Sequence, residues 1–333
     1  YKQEDVIEKG RLAPGEMFAV DTEKGDILLT DEIDDILKER HPYLTWLKKY
    51  SVKANDYNSE EELPIGFEND LLLTYKKSFS ISFEEEKEII APLAQMSQEA
   101  TGSMGDDTPM PVMSMHNRSI YDYFRQQFAK VTNPPIDPLR EASVMSLEVC
   151  FGIERNLFEE SSKHADRLIL KSPILDRQTY ISIIESKDKK YPHDVINLNF
   201  DNTLDLEEAI NTICDRAIRS VKKGNVTIVL SDKKINENQL IIPAPMAVGA
   251  VHHKLIENGL RCDTNIIVET GSARNPHHYA VLIGYGATAI YPYLAFEVLN
   301  EMVTKDKINV KNYGACLANY IAGINKGLSL IHI

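Results

Sequence analysis

The sequence predicts an α/β protein built around an open, mostly parallel sheet with helices on both faces. From about residue 166 onward, short β-branched runs alternate with stretches whose apolar residues recur at helical spacing. The β-branched runs are largely apolar, which is typical of strands that helices cover on both sides. A helical subregion and a short N-terminal β-hairpin are predicted ahead of this sheet, and its crossovers should be right-handed.

The alternation of strand and helix can be followed through residues 166–328. The predicted strands are residues 195–200, 226–230, 264–268 and 289–291. The predicted helices are residues 206–221, 243–256, 277–284 and 294–302. In the first of these helices Ile210, Ile213 and Ala217 share one face, and Gly224 follows as a helix-ending glycine.

The first 50 residues contain a hairpin and a helix. Two short apolar runs, residues 17–21 and 26–29, flank a turn that contains Gly25. Asp31 is the expected N-cap of a short helix that follows. Because two strands and one helix cannot bury a core of their own, this segment is predicted to be the end of a larger domain.

The next part of the chain is predicted to be a linker followed by helices. Residues 51–80 are polar and mixed in character, which indicates a linker or a surface segment. Ser82, with Glu85 three residues later, forms a capping-box pattern ahead of a helix. Two further helices are predicted, near residues 121–131 and at 138–150, on either side of a proline-rich run.

That run, from Thr132 to Asp137, is called the proline corner below. Pro134, Pro135 and the following Pro138 each fix φ and bias the preceding residue away from the helical region. Asp137 before Pro138 is the pattern of an N-cap followed by proline at the first helical position. A stiff corner that opens onto a helix suits a wall that must keep its shape. An ordinary linker between two helices is the alternative.

Composition excludes several functional classes. The 333 residues carry a formal net charge of −13, so no nucleic-acid partner is expected. No apolar run reaches the roughly 18 residues of a membrane helix, and no membrane partner or signal peptide is expected. Cys150, Cys214, Cys262 and Cys316 form no CxxC pair, so neither a zinc knuckle nor an iron–sulfur run is predicted, and a disulfide framework is not expected. We expect reduced thiols in a cytoplasmic protein.

Polar residues follow the predicted strands, at the edge where open parallel sheets bind ligands. Asp232 and Glu269 are the residues there that could hold a polar ligand. No GxGxxG or GxxxxGK[ST] motif follows a strand, and Gly284 and Gly286 end a helix rather than open one. We therefore favour a crevice that is vestigial or covered by a neighbouring domain over a nucleotide site.

Two adjacent histidine pairs, His252–His253 and His277–His278, are the other candidate site. Adjacent helical residues point about 100° apart, so neither pair can chelate a metal by itself. A metal site would need one histidine from each pair and a carboxylate such as Glu269. Packed or hydrogen-bonded imidazoles at helix ends are the alternative. The glutamate runs at 60–62 and 84–86 are interpreted as solvated charges.

Several blocks of the sequence resemble the central domain of the glutamate synthase large subunit. They are GSMGDDTP at 102–109, YDYF at 121–124, VTNPPIDPLREA at 131–142 and VETGSARNPHHYAVLIGYGATAIYP at 268–292. The resemblance covers nearly the whole chain and is weakest at about 180–240. It implies that residues 1–50 are the C-terminal tail of an amidotransferase domain, 51–165 the linker and helical part of the central domain, and 166–328 its α/β part. Residues 329–333 depart from the family pattern and are interpreted as a truncated or foreign tail.

The resemblance further implies that the chain connects two catalytic domains of one polypeptide. In this family an amino-terminal cysteine releases ammonia from glutamine, and an internal tunnel carries the ammonia. A domain with FMN and an iron–sulfur cluster then makes glutamate from it and 2-oxoglutarate. Electrons come from ferredoxin or from a pyridine-nucleotide subunit. Those catalytic groups are expected outside this chain, so no catalytic, cofactor-binding or metal-binding residue is assigned here.

Within the chain, the resemblance gives the proline corner a role. Thr132 and Asn133 are expected to face the ammonia tunnel or its mouth, with Pro134, Pro135 and Asp137 at the same domain interface. Two alternatives stay open. One is a free-standing α/β enzyme that binds a small molecule at the strand ends, and the other is a non-catalytic interaction module.

Overall fold

The computed structural model describes residues 2–54, 66–100, 113, 115, 118–125, 127, 135–185 and 191–332. The chain divides into two compact units. The N-terminal unit is Tyr1–Ser51 with Glu160–Asp166, and the main unit is Val52–Glu159 with Arg167–Ile333.

The N-terminal unit contains the predicted hairpin. Its elements are β1 (Phe18–Asp21), β2 (Asp26–Leu29), α1 (Thr30–Glu39), α2 (Tyr43–Tyr50) and the 3₁₀ turns Gln3–Asp5 and Ser162–Ala165. The hairpin prediction is confirmed, since β1 and β2 pair antiparallel with Phe18 opposite Leu29. Asp31 is not the N-cap of α1: Leu29 holds that position, and its N–H donates to the Glu32 carboxylate at 3.0 Å.

The N-terminal unit is held together mainly by polar and aromatic contacts. Glu160 accepts hydrogen bonds from Arg40 at 2.8 Å and from the Tyr43 hydroxyl at 2.6 Å. The His41 ring stacks on Trp46 with the ring centroids 5.1 Å apart. No side chain in residues 2–51 is buried. Several large apolar residues of this unit each have half or more of their surface exposed: Ile7, Leu12, Phe18, Val20, Ile27, Leu29, Ile36, Leu44 and Leu47.

The main unit is built on a four-stranded parallel sheet with the strand order β11-β10-β8-β6. Its strands are β6 (His193–Asn197), β8 (Thr227–Ser231), β10 (Asn265–Glu269) and β11 (Ala289–Tyr291). Every residue of β8 and β10 is buried, which explains why their sequences are apolar rather than alternating. The predicted fold class is confirmed.

Helices connect and flank these strands. They are α7 (Arg177–Ile184), α8 (Leu206–Lys222), α9 (Ala244–Glu257), α10 (Pro276–Gly284), α11 (Tyr293–Thr304) and α12 (Tyr313–His332). The helical subregion comprises α3 (Asn69–Ser78), α4 (Phe83–Glu85), a π-helical turn (Glu86–Ile90), α5 (Ala91–Met96), a 3₁₀ turn at Ile120–Tyr123 and α6 (Pro138–Val144). Another 3₁₀ turn, Arg261–Asp263, lies between α9 and β10. Short strands complete the unit: β3 (Val52–Lys53), β4 (Val149–Phe151), β5 (Leu168–Leu170), β7 (Asn199–Asp201) and β9 (Gln239–Ile241). Among the described residues, no helix is long and apolar enough to cross a membrane.

Several predicted elements differ from the structure because tertiary pairing outweighs local preference. The helix predicted at 138–150 ends at Val144, and β4 follows because it pairs antiparallel with β5. The strand predicted at 195–200 breaks after Asn197, whose side-chain oxygen accepts the Asn199 N–H at 3.1 Å and turns the chain toward β9. The supposed linker at 51–80 contains α3, with Leu72 and Tyr75 buried.

Two further helix predictions are partly right. Ser82 is the N-cap of α4 and accepts the Glu85 N–H at 3.0 Å, but the Glu85 carboxylate pairs with Arg274 instead of closing a capping box. The helix predicted near 121–131 is a 3₁₀ turn at Ile120–Tyr123 that becomes extended at Phe124. Part of that prediction lies outside the described residues.

Gly286 provides a test of the packing of α10 against α9. Its φ is 110°, and a Cβ atom there would clash with the His252 ring. We expect Gly286→Ala to lower the free energy of unfolding by about 3 kcal/mol, because the clash adds to the strain of that backbone conformation. Urea denaturation measures the loss.

Gly224→Ala is the matched control. Gly224 has a φ of 95°, but open space surrounds the position of its Cβ. We expect only the backbone penalty of about 1 kcal/mol. Equal losses for the two variants would contradict the packing argument.

Candidate functional site

A cavity of about 1130 Å³ lies at the carboxyl ends of β8 and β10, and we call it the strand-end cleft. The residues that follow these strands, the first turn of α9 and the start of α10 all contribute to its walls. This is the edge at which open parallel sheets bind ligands. Its lining includes Tyr121, Asp232, Ser272, Arg274 and His278.

The two carboxylates predicted at the strand ends lie next to each other. β8 and β10 pair in parallel with Ser231 beside Glu269, so Asp232 and Thr270 follow at the same level. The Ser231 hydroxyl donates to Glu269 Oε2 at 2.5 Å, and Lys233 Nζ lies 3.3 Å from Glu269 Oε1. The sequence therefore located this cluster correctly, although Glu269 is engaged by its neighbours.

Asp232 is the most completely satisfied carboxylate of the cluster. It is 1 % exposed and accepts hydrogen bonds from the Thr270 hydroxyl at 2.5 Å, the Gly271 N–H at 2.9 Å and the Tyr293 hydroxyl at 3.0 Å. Burial raises the pKa of Asp232 to about 7, and these donors oppose the rise. Near neutral pH the group therefore holds its proton part of the time.

A chain of hydroxyl groups leads from Tyr121 to Asp232. The Tyr121 hydroxyl lies 2.9 Å from Ser272 Oγ, which lies 2.8 Å from Thr270 Oγ1. When Asp232 is ionised it can only accept, so Thr270 donates to Asp232, Ser272 donates to Thr270, and Tyr121 donates to Ser272. Burial raises the pKa of Tyr121 well above its ordinary value, so this phenol stays a donor.

The side chain of Tyr121, on the 3₁₀ turn at Ile120–Tyr123, fills part of the cleft. Its side chain is 1 % exposed, and its ring stacks on that of His278 with the centroids 4.3 Å apart. His277 Nε2 lies 2.9 Å from the Tyr121 carbonyl oxygen and must donate, because a carbonyl only accepts. Burial lowers the pKa of His278 well below its usual range, so the ring under Tyr121 is neutral.

Arg274 links α4 to α12. Its Nε donates to Glu85 Oε1 at 2.6 Å and its carbonyl accepts the Tyr320 hydroxyl at 2.8 Å. The guanidinium is buried, and a buried ion pair persists only when its remaining groups find partners. Asp232, Arg274 and His278 thus all have protein partners, which makes the cleft floor a cross-linked network.

The histidine pairs have structural partners. His252 Nδ1 accepts a hydrogen bond from Arg261 Nε at 3.0 Å, and Arg261 also donates to the Gly286 carbonyl at 3.0 Å. His277 and His278 contact Tyr121 as described above. In the described part of the chain, no group of three or more His, Cys, Asp or Glu side chains is placed to hold a metal ion.

The described residues do not fit the cofactors of the family that the sequence resembles. Iron–sulfur clusters need several thiolates together. Cys150 and Cys262 are exposed, Cys214 and Cys316 are buried on α8 and α12, and burial raises the pKa of Cys316 to about 12. A flavin phosphate would meet more carboxylates than guanidinium groups in the strand-end cleft, which is lined by Glu84, Glu85, Glu88, Asp122 and Asp232 against Arg118 and Arg274.

The proline corner is described only in part. Thr132, Asn133 and Pro134 lie outside the described residues. Pro135 is exposed, and Asp137 is the N-cap of α6, as its sequence pattern predicts. Neither of these two residues belongs to the lining of the strand-end cleft.

The Asp137 cap is charge-assisted. The carboxylate accepts the Leu139 N–H at 3.1 Å and the Arg140 N–H at 3.0 Å, and Arg140 Nε lies 2.5 Å away. Hydrogen bonding to Arg140 holds the pKa of Asp137 below its ordinary value. The start of α6 is therefore fixed locally, independently of tertiary contacts.

Sequence reasoning did not find Tyr121, Ser272 or Arg274 as members of the site. Ser272 comes two residues after the end of β10, where the rule for open sheets already pointed. Tyr121 and Arg274 lie inside the conspicuous sequence blocks, but nothing in their local pattern indicates burial at the strand ends.

Two protein-family models match successive parts of the chain. The family model described as glutamate synthase central domain matches residues 74–332, and the one described as glutamine amidotransferases class-II matches residues 1–46. The chain is 36% identical over 338 residues to a ferredoxin-dependent glutamate synthase, chloroplastic, of Oryza sativa subsp. japonica. It is 36% identical over 346 residues to the glutamate synthase [NADH] of Saccharomyces cerevisiae.

A third relative is the glutamate synthase [NADPH] large chain of Bacillus subtilis, at 35% identity over 328 residues. The matches cover 97%, 97% and 98% of this chain, and 21%, 16% and 21% of the rice, yeast and Bacillus proteins. The chain thus spans about a fifth of the length of the curated relatives it matches.

The buried carboxyl of Asp232 makes stability depend on pH. Its pKa rises from 3.8 to about 7 on folding, so between those values the folded state keeps a proton that the unfolded state has released. Stability therefore falls as the pH rises through that interval. Asp232→Asn mimics the neutral acid and does not titrate. When the pH is raised from about 4 to about 8, the free energy of unfolding of this variant should therefore rise relative to that of the parent by up to about 4 kcal/mol.

Urea denaturation across this pH range measures the difference. Asp201→Asn is the control, because the exposed Asp201 carboxyl has its pKa lowered by hydrogen bonds from Thr203 and contributes with the opposite sign. Parallel pH profiles for the parent and Asp232→Asn would show that Asp232 is ionised in the folded state without cost.

Proposed function

This chain belongs to the glutamate synthase family, and we propose that it joins the glutamine amidotransferase domain to the FMN-bearing synthase domain of a longer polypeptide. The observation that carries the proposal is that one chain matches two family models in succession. Residues 1–46 match an amidotransferase, and residues 74–332 match the central domain. The chain therefore crosses from one domain into the next.

The exposed apolar side chains of the N-terminal unit support the proposal that a further part of an amidotransferase domain packs against it. Large apolar side chains of the hairpin and of α1 are half exposed or more, among them Val20, Ile27 and Ile36. In the hairpin, Phe18 lies opposite Leu29 and Val20 opposite Ile27, so these exposed side chains adjoin one another. Adjoining exposed apolar side chains of this kind mark an interface. We assign residues 1–50 to the end of an amidotransferase domain whose remainder covers these side chains.

The cleft of the main unit supports a joining role over turnover of a substrate. Asp232 and Arg274 are buried and hydrogen-bonded to neighbours, and Tyr121 occupies part of the crevice. A general base or nucleophile must be free to reach a reacting group. The groups at the strand ends instead hold segments of the chain to one another.

We assign the proline corner to the wall of an ammonia tunnel or its mouth. Ammonia that escapes into bulk water is protonated and lost to the reaction, so a conduit must exclude water, as closed active sites do. Thr132 and Asn133 carry side chains that can exchange hydrogen bonds with ammonia. Pro134 and Pro135 lack a backbone N–H and fix φ. Asp137, as the N-cap, fixes the start of α6.

The parent enzyme would form glutamate from glutamine and 2-oxoglutarate. FMN and an iron–sulfur cluster in the synthase domain would supply the electrons for the reductive step. The electrons would come from ferredoxin or from a pyridine-nucleotide subunit. The four free cysteines suit a reducing compartment such as the cytoplasm.

Asn133→Leu in the full-length parent tests the tunnel assignment. The variant places an apolar side chain where ammonia would exchange hydrogen bonds, so we expect more ammonia to escape for each glutamine hydrolysed. The measurement is free ammonia released against glutamate formed, with 2-oxoglutarate and reduced electron donor present.

The matched control is Asn211→Leu, the same change at an exposed position of α8. It should leave the balance between glutamine hydrolysed and glutamate formed as in the parent. Tight stoichiometry in Asn133→Leu as well would reject the tunnel assignment for that residue.

A further inference from the structure

A second cavity, of about 360 Å³, lies at the edge of the sheet opposite the strand-end cleft, and we call it the basic pocket. Its walls come from His193 and Asp194 at the start of β6, from the C-terminal end of α8 and from Asn225 ahead of β8. β6 and β8 run parallel, so their amino ends lie together at this edge. All seven of the described residues that line the basic pocket are polar or charged.

Positive charge dominates the lining of the basic pocket. Arg216, Arg219 and Lys223 recur along one face at the end of α8, and Asp194 is the one carboxylate among the described residues of the lining. With His193 neutral, the formal charge of the pocket is +2, whereas the whole chain carries −13. A concave site that concentrates charge of one sign attracts small ligands of the other sign. The pocket is therefore suited to an anion.

Asp194 is already paired within the protein. Arg216 Nη2 donates to Asp194 Oδ1 at 2.9 Å and to the Val195 carbonyl at 2.7 Å. Burial tends to raise the pKa of Asp194, but hydrogen bonds from Arg216 and Ser220 outweigh it and hold this pKa below its ordinary value. These contacts neutralise the Asp194 carboxylate and fix the Arg216 guanidinium beside it.

The side chains of Arg219 and Lys223 are not engaged in this way. Among the residues that the structure describes, neither side chain has an ion-pair or hydrogen-bond partner. Cations near a helix C-terminus can serve the last carbonyl groups of the helix. Here the Lys223 N–H donates to the Ser220 carbonyl at 3.1 Å instead. The Gly224 N–H likewise donates to the Val221 carbonyl at 2.8 Å. Two cationic side chains therefore line the pocket with their donors available for a ligand.

The size and spacing of the pocket indicate a compact ligand. Its volume is near the lower end of the roughly 300–1,000 Å³ that is usual for small-molecule sites. Arg219 and Lys223 are separated by about one helical turn, or about 6 Å, so a single group with two negative charges can meet both. Asn225 Nδ2 donates to Ser220 Oγ at 2.9 Å, which holds that amide in place, and His193 adds an imidazole with an N–H donor.

We propose that the basic pocket binds a phosphate group, either as inorganic phosphate or as the phosphate of a small monoester. The Arg219 guanidinium supplies two parallel N–H donors to the phosphate oxygens, and the Lys223 ammonium supplies a point charge. A phosphate dianion neutralises the +2 charge of the pocket. The basic pocket shares no described lining residue with the strand-end cleft, so this site can be tested independently of the function proposed above.

Protection of Arg219 from phenylglyoxal, a reagent that modifies guanidinium groups, tests the proposal on the full-length protein. Tandem mass spectrometry follows the modification of Arg219, and the exposed Arg155 outside the pocket reports any effect on the reagent itself. Inorganic phosphate is added at constant ionic strength, so that general screening does not change. We expect phosphate to slow the modification of Arg219 in a saturable way and to leave Arg155 unaffected. Equal rates at Arg219 with and without phosphate would overturn the proposal.

Lys223→Gln and Lys222→Gln form a matched pair of variants. Both lysines are exposed and adjacent in sequence, but Lys223 lines the pocket and Lys222 does not. Lys223→Gln removes a charged donor, so the phosphate concentration that gives half-maximal protection should rise about tenfold. Lys222→Gln should leave that concentration within about twofold of the parent's, because an isolated surface charge contributes little. Equal rises in the two variants would reveal a general effect of surface charge and would overturn the site.

Two further probes identify the source of the phosphate group. Glycerol 3-phosphate that protects Arg219 at a lower concentration than inorganic phosphate indicates a monoester, and equal or weaker protection indicates inorganic phosphate; both outcomes support the site. Succinate carries its two negative charges on separate carboxylates. Protection by succinate at a lower concentration than by either phosphate compound would overturn the assignment to phosphate.

Discussion

The in-register parallel pairing of β8 with β10 is the constraint on which the main unit depends. Both strands are buried along their whole length, so a shift of register would displace two complete sets of core side chains. The register puts Ser231 beside Glu269 and carries Asp232 to Thr270 and Gly271. The contacts that join Ser231 and Asp232 to Glu269, Thr270 and Gly271 follow from that alignment.

Burial of charge at those strand ends explains why the contacts are so numerous. A carboxylate or guanidinium withdrawn from water is tolerated only with several partners. Asp232 accepts hydrogen bonds from the residues that follow β10 and from α11, and Arg274 joins α4 to the segment ahead of α10. The helical subregion, the sheet and the helices after it are thereby fixed to one another. This cross-linking suits the joining role that we propose for the domain.

The two units distribute their apolar side chains differently, and the difference agrees with the proposed assignment of residues 1–50 to a separate amidotransferase domain. The main unit encloses its core, with Ile228, Ile267 and Tyr320 fully buried. The hairpin of the N-terminal unit leaves Phe18 and Ile27 half exposed or more. Together with the amidotransferase match over residues 1–46, this supports the proposal that residues 1–50 belong to a different domain from the main unit.

Much of the fold and part of the site followed from the amino-acid order alone. Period and β-branching located β8, β10, β11 and the helices between them, because those signals come from neighbours in sequence. The rule for open sheets brought Asp232 and Glu269 to one edge. The Asp137 cap was equally visible, since capping is a contact over two or three residues.

Only the tertiary structure decided the rest. Residues 149–151 became a strand because β5 offered a partner, and α3 became a helix with a buried face because Leu72 and Tyr75 found the core. Tyr121 entered the strand-end cleft from about 150 residues away in the chain, where Ser272 and His278 receive it. Sequence determines what its local periodicity and turn chemistry encode. Contacts between distant segments are chosen by burial and by the need to satisfy buried polar groups, and these act only once the chain has folded.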